Sequence, residues 1–183
     1  MEKTKIRNAQ EKMDNGVKRK YVGFLVSGRG KAASQLARHN KKLERYFLCR
    51  PHPGSLNLVL KESLSFCPKS AAFFGSDSEG FWQVSIAGLD CLVHRWKGCP
   101  LHILEIVSPI NMRGYFDIDN GQAVEVEIES SHIANHGWIS WLVWALIWKF
   151  REDWYYSSDR YRDFPKKTRI FRYFYSKLAC QVM

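Results

Sequence analysis

Ser55 and Asn57 have the residue types and spacing that most directly suggest chemistry in this chain. They follow the turn His52-Pro53-Gly54 and open the apolar run Leu56-Asn57-Leu58-Val59-Leu60. In a strand their side chains share one face and Leu56 and Leu58 the other. A hydroxyl and a carboxamide that look outward together are neutral oxygen donors, suited to a magnesium ion whose charge is met by substrate phosphates and water. The same pair also serves a tight hairpin in which Ser and Asn tie down backbone amides. A second group is Ser27-Gly28-Arg29-Gly30-Lys31-Ala32-Ala33, where two glycines let backbone amides approach an anion and Lys31 adds charge. An ordinary strand-to-helix turn uses the same glycines. The third is Glu105, an acid inside the apolar run 101–107. It needs a salt bridge, with Arg113 and Arg95 the candidates, or a catalytic purpose.

These residues must be carried by short strands and one helix. Residues 21–26 are β-branched and aromatic enough for a first strand. Over 32–47, apolar residues at 33, 36, 37, 43 and 47 make a helical stripe with Arg38, Lys41, Lys42 and Arg45 on other faces. The stretch from Arg29 to Arg50 holds seven cations against Glu44 alone, a solvated face or a means of steering a nucleotide. Residues 61–80 read as a Ser- and Gly-rich connection with a short helical turn within 69–74. Strands follow at 81–86 and 91–96, around a turn at 87–90, and at 101–107. Ser108-Pro109 stops that strand, 110–116 is a loop or short helix, and Asp119-Asn120-Gly121 is a turn. Val124, Val126 and Ile128 alternate with Glu125, Glu127 and Glu129, a half-buried strand whose glutamates form its wet face. Five or six short strands with one inserted helix predict a small, mainly β barrel.

With 183 residues, 45% of them hydrophobic and 14% aromatic, the chain has ample material for one core. Five cysteines without a CxxC pair argue against a disulfide framework and a zinc site, and for a reducing cytoplasm. Residues 1–20 have no apolar core of the kind a secretory signal needs. The net charge of +10 sits at the ends, since residues 1–20 hold seven Lys/Arg against three acids and residues 149–183 nine against four. Any binding of a polyanion or an anionic membrane surface is therefore separate from the chemistry of the body. The apolar segment 138–148 is far short of the ~20 residues that span a bilayer. It either packs on the barrel or lays its tryptophans in a membrane interface. Residues 160–177 interleave Arg and Lys with Tyr and Phe, a mixture that suits lipid headgroups, single-stranded nucleic acid or docking on the barrel.

The order of these pieces carries a resemblance. Gly28-x-Gly30-x-Ala32, an amphipathic helix, Pro53-Gly54-Ser55-Leu56-Asn57, then Glu105-Ile106-Val107-Ser108-Pro109 with Arg113 and the Gly121 turn, resembles the CTP-dependent riboflavin kinases of archaea over about residues 21–129. The resemblance implies a cradle-loop β-barrel over 21–132, between a basic N-terminal arm (1–20) and a Trp-rich, basic helical extension (133–183). It also implies transfer of the terminal phosphate of CTP to the ribityl hydroxyl of riboflavin, giving FMN. By position, Gly28, Arg29, Gly30, Lys31, Ala32 and Arg113 would bind the nucleotide. Ser55, where the family usually has Thr, and Asn57 would hold Mg²⁺, and Glu105 would act as general base. The acceptor is riboflavin or another small alcohol such as a sugar, and no obligate protein partner is expected. The reading from another class is a non-catalytic barrel that binds nucleic acid or a membrane surface.

Overall fold

The computed structural model describes residues 16–75 and 79–157. Nine strands are present: β1 (Lys18–Val26), β2 (Leu56–Leu60), β3 (Ser65–Phe66), β4 (Phe73–Phe74), β5 (Gly80–Ile86), β6 (Leu89–Arg95), β7 (Ile103–Val107), β8 (Ala123–Glu129) and β9 (Ile133–Ala134). The helices are α1 (Ala32–Leu36), α2 (Asn40–Phe47), α3 (Met112–Phe116), α4 (Trp138–Ile147) and α5 (Trp154–Ser157). Six strands, in the order β5-β6-β7-β2-β1-β8, pair antiparallel throughout, and β8 returns to β5 at Ser85 and Glu127, so the sheet closes into a barrel. Closure removes the sheet edges that would otherwise need covering. β4 lengthens the sheet beside β5, and β3 and β9 form a separate ribbon.

Period-2 alternation decides what faces in. Leu56 and Leu58 of β2, Leu104 and Ile106 of β7, Cys91 and Val93 of β6, and Val126 and Ile128 of β8 fill the barrel. Their neighbours point outward. On β8 those neighbours are the glutamates, and the lysines of β1 meet them, with Lys20 Nζ 2.8 Å from Glu125 and Lys18 Nζ 3.3 Å from Glu127. These lysines are strand residues and not part of a basic arm, because the glutamate ladder of β8 gives them partners. On β5, β6 and β7 part of the outward face is apolar instead. Phe81, Leu92 and Val107 pack there under Leu36 of α1 and Leu43 of α2.

Several local expectations are corrected. The helix over 32–47 is broken by a 3-10 turn at Ala37–His39, which buries His39, and Ala33 and Ala37 are exposed while Leu36 and Leu43 carry the packing. The hairpin between β5 and β6 turns on Ala87 and Gly88 alone, both at positive φ, so Leu89 and Asp90 are strand residues. Within 69–74 there is no α-helical turn. A 3-10 turn at Pro68–Ser70 leads into β4. The apolar segment 138–148 does form a helix, and its Val143 and Trp144, with Trp148 beyond it, are buried on the barrel. Trp138 and Leu146 on its other side are 72% and 66% exposed. Among the described residues no helix is long and apolar enough to cross a membrane. The basic segments at residues 1–15 and 160–177 lie outside the described residues.

Candidate functional site

The site grows out of one row of the sheet. β2 pairs with β7 so that Asn57 lies opposite Glu105, and β7 pairs with β6 so that Glu105 lies opposite His94. The flanking residues of each strand point into the barrel, so these three polar side chains stand together on its outer face. Beside them the turn after β1, the start of α1, the 53–55 turn and residues 155–156 enclose a cleft of about 850 Å³. All nine residues singled out above, Gly28, Arg29, Gly30, Lys31, Ala32, Ser55, Asn57, Glu105 and Arg113, line this cleft. Among the described residues its lining holds three cations, Arg29, Lys31 and Arg113, against one acid, Glu105, a balance that favours an anion.

The two glycines have different reasons. A Cβ at residue 28 would stand 2.3 Å from Nδ2 of Asn57, so Gly28 lets the turn close onto the carboxamide. Gly30 has φ of +68°, the left-handed region that carries the chain from the turn into α1. Ser55 Oγ donates to Asn57 Oδ1 at 3.2 Å, so hydroxyl and carboxamide do converge on one face. Asn57 does not look out to solvent as expected, however. It is 5% exposed, because Tyr156 lies over it and donates its hydroxyl to the same Oδ1 at 3.1 Å.

Glu105 has neither of the arginine partners expected for it. Its Oε2 lies 3.3 Å from His94 Nδ1. Arg95 follows His94 and so faces the other way, where it donates to the carbonyls of Ile103 and Cys99. Arg113 sits on α3, whose start is capped by the Asn111 side chain accepting from Gly114 N. From there Nη2 donates to Val26 O at 2.8 Å and to Asn120 Oδ1 at 3.0 Å, which ties the end of β1 to the Asp119-Asn120-Gly121 turn. Arg113 thus lines the cleft and also latches its wall. Arg29 lies over the Tyr155 ring at 4.5 Å, and its Nη2 is buried with no hydrogen-bond partner among the described residues. Burial, and after it the nearby Glu105, pushes the Tyr156 hydroxyl well above its ordinary range, so it remains a proton donor.

The Ser55 and Asn57 oxygens fit the demands of Mg²⁺, which takes hard oxygen donors and keeps substrate phosphates among its ligands. Among the described residues no group of three or more His, Cys, Asp or Glu is assembled as a metal cage. His94, Trp96, Tyr155 and Tyr156 belong to the site but were not anticipated from sequence. His94 follows from strand register, which a single strand's pattern does not reveal. The tyrosines arrive from a segment beyond the barrel.

A second cavity, of about 190 Å³, lies between the barrel and α4. Phe66, Trp82, Trp96, Trp144 and Trp148 give it an aromatic lining, and the indole Nε1 of Trp144 is buried without a partner among the described residues. Trp96 lines both cavities.

Fold and site therefore define a closed six-stranded barrel with a cationic cleft on its outer face. No family model matches the chain. Among curated proteins it is similar to a riboflavin kinase from Thermococcus kodakarensis, with 28% identity over 121 residues. That match covers 58% of this chain, which spans 57% of the length of that relative.

Proposed function

We propose that the chain is a Mg²⁺-dependent phosphotransferase that moves the terminal phosphate of CTP to the ribityl hydroxyl of riboflavin. The carrying observation is the row Asn57, Glu105 and His94, whose Asn57 and Glu105 line a cleft that also holds the glycine turn, with His94 behind Glu105. The similarity to a riboflavin kinase supports the class of reaction. The choice of CTP rests on the resemblance carried by Gly28-x-Gly30-x-Ala32 and Pro53-Gly54-Ser55-Leu56-Asn57.

In this reading the backbone of residues 28–32, with Arg29 and Lys31, takes the phosphates. Ser55 and Asn57 would hold Mg²⁺, which supplies neutralisation of phosphate charge. Glu105 accepts the proton of the acceptor hydroxyl. The freed oxygen bonds to the terminal phosphorus, the bond from that phosphorus to the bridging oxygen breaks, and CDP leaves. His94 Nδ1–H holds the carboxylate in place from the side away from the substrate. The aromatic cavity supports a planar acceptor over a sugar, because a flavin ring stacks on indole faces and Trp96 lines both that cavity and the cleft.

The test is incubation with Mg²⁺, riboflavin and each nucleoside triphosphate in turn, with FMN read by chromatography. FMN from CTP alone is expected. CTP binding without FMN would move the acceptor to another alcohol, and absence of both binding and turnover would reject the enzyme.

A second reading concerns attachment. Trp138, Trp141, Leu146 and Phe150 are exposed on the outer side of the α4 region, next to Lys149 and Arg151, a pattern that suits an anionic lipid surface. Co-sedimentation with anionic but not neutral liposomes is the expected result. Equal recovery with both kinds of liposome would argue against it.

A further inference from the structure

The segment after α4 does more than cover the barrel. Its path is held at successive points: Trp148 lies against His102 at 5.4 Å, His102 Nε2 meets the carbonyl of Glu152 at 3.0 Å, and Tyr155 reaches Trp148 at 6.0 Å and Trp96 at 6.3 Å. Tyr155 and Tyr156 then enter the cleft and touch two of the residues assigned to ligand binding.

We infer that Tyr156 is a positioning residue for the Asn57 carboxamide, and that Tyr155 holds the Arg29 guanidinium ready for a phosphate. The inference rests on the phosphotransferase reading. A carboxamide can rotate to exchange its oxygen and nitrogen, and only the oxygen ligates a cation. Three neighbours decide the orientation here. Gly28 leaves room for Nδ2 on one side, while the hydroxyls of Ser55 and Tyr156 both donate to Oδ1 on the other. Ser55 is itself assigned to the metal, so its hydroxyl proton must leave Oδ1 when its oxygen becomes a ligand. A carbonyl oxygen has two acceptor directions, and Tyr156 can keep one of them while Oδ1 uses the other for the ion.

Arg29 shows the same logic. Stacking on Tyr155 restrains the guanidinium through its face and leaves its edge available, and Nη2 on that edge is buried with no partner among the described residues. A purely structural arginine would be expected to spend that donor on a carbonyl or carboxylate.

The test uses the full chain and Mn²⁺ as a stand-in for Mg²⁺, read by electron paramagnetic resonance in the presence of CTP. Tyr156→Phe removes only the hydroxyl, and it should weaken Mn²⁺ binding about tenfold, the usual effect of losing a residue that orients a ligand. Its melting temperature should change little. Tyr155→Leu should weaken CTP binding about threefold, and Tyr155→Phe, which retains the ring, should restore it. Equal Mn²⁺ affinity in Tyr156→Phe and wild type would overturn the inference alone. Tighter binding in Tyr156→Phe would overturn it too, because Tyr156 would then be a plug. A wild-type protein that binds neither CTP nor Mn²⁺ would overturn the phosphotransferase reading, and this inference with it.

Discussion

Two histidine–glutamate pairs flank Phe81 on the outer face of the barrel, and they have opposite surroundings. His39 meets the Phe81 ring edge-on at 5.4 Å, and its Nε2 makes a short contact with Glu79 Oε2. Arg38 Nη2 takes the second oxygen of Glu79 at 3.1 Å, so both carboxylate oxygens are engaged. His94 stacks on the other side of Phe81 at 4.7 Å and meets Glu105 at 3.3 Å. There the carboxylate has no cation on its second oxygen among the described residues, and it borders the cleft. The residue types are the same. What separates a structural pair from one available for chemistry is whether the protein itself satisfies the second oxygen.

That contrast can be broken by exchanging the outcomes. Glu105→Gln keeps the shape and loses the base, so FMN formation should fall by about 10²–10⁴-fold while the melting temperature stays nearly constant. An equal loss of stability would mean that Glu105 is as structural as Glu79. Glu79→Ala leaves His39 buried without its carboxylate, and should cost about 3 kcal/mol in urea unfolding. Activity per folded molecule should be close to wild type.

A third histidine sharpens the comparison because it has no carboxylate. His102 is fully buried, and burial lowers its pKa to about 4. The unfolded chain takes up that proton near pH 6.5 while the folded chain stays neutral. Its contribution to stability is therefore complete above pH 6.5 and is lost as the pH falls from 6.5 towards 4, at a limiting slope of about 1.4 kcal/mol per pH unit. Urea unfolding at pH 7.5, 6 and 5 should show the loss, and His102→Gln should flatten it. The smallest effect is expected on the wet ladder of β8. Lys20→Gln removes an exposed partner of Glu125, and the melting temperature should barely move at physiological salt.

Parts of this arrangement were legible in the sequence because they are local. The alternation of Val124, Val126 and Ile128 with three glutamates gave β8 and its wet face. Glu105 stood out as a single acid in an apolar run, and the glycine turn could be located though not explained. Register is not local. It joins β2 to β7 and β7 to β6, and it alone brings Asn57, Glu105 and His94 into one row. Strand parity excludes Arg95 as the partner of Glu105, since adjacent residues face opposite ways, but that argument needs the pairing first. The need for glycine at residue 28 was hidden for the same reason, because it is set by a carboxamide on another strand. Tyr155 and Tyr156 were beyond sequence reasoning, since nothing in an apolar helix announces that the chain after it turns back to a cleft.

The proposed transfer of phosphate from CTP to a flavin can be followed atom by atom. The most direct measurement supplies CTP labelled in its terminal phosphate, with riboflavin and Mg²⁺, and follows the label. The label is expected in FMN with equimolar CDP, and Glu105→Gln should slow the transfer by about 10²–10⁴-fold without abolishing CTP binding. Label released only as inorganic phosphate, or transferred at the same rate by Glu105→Gln, would contradict it.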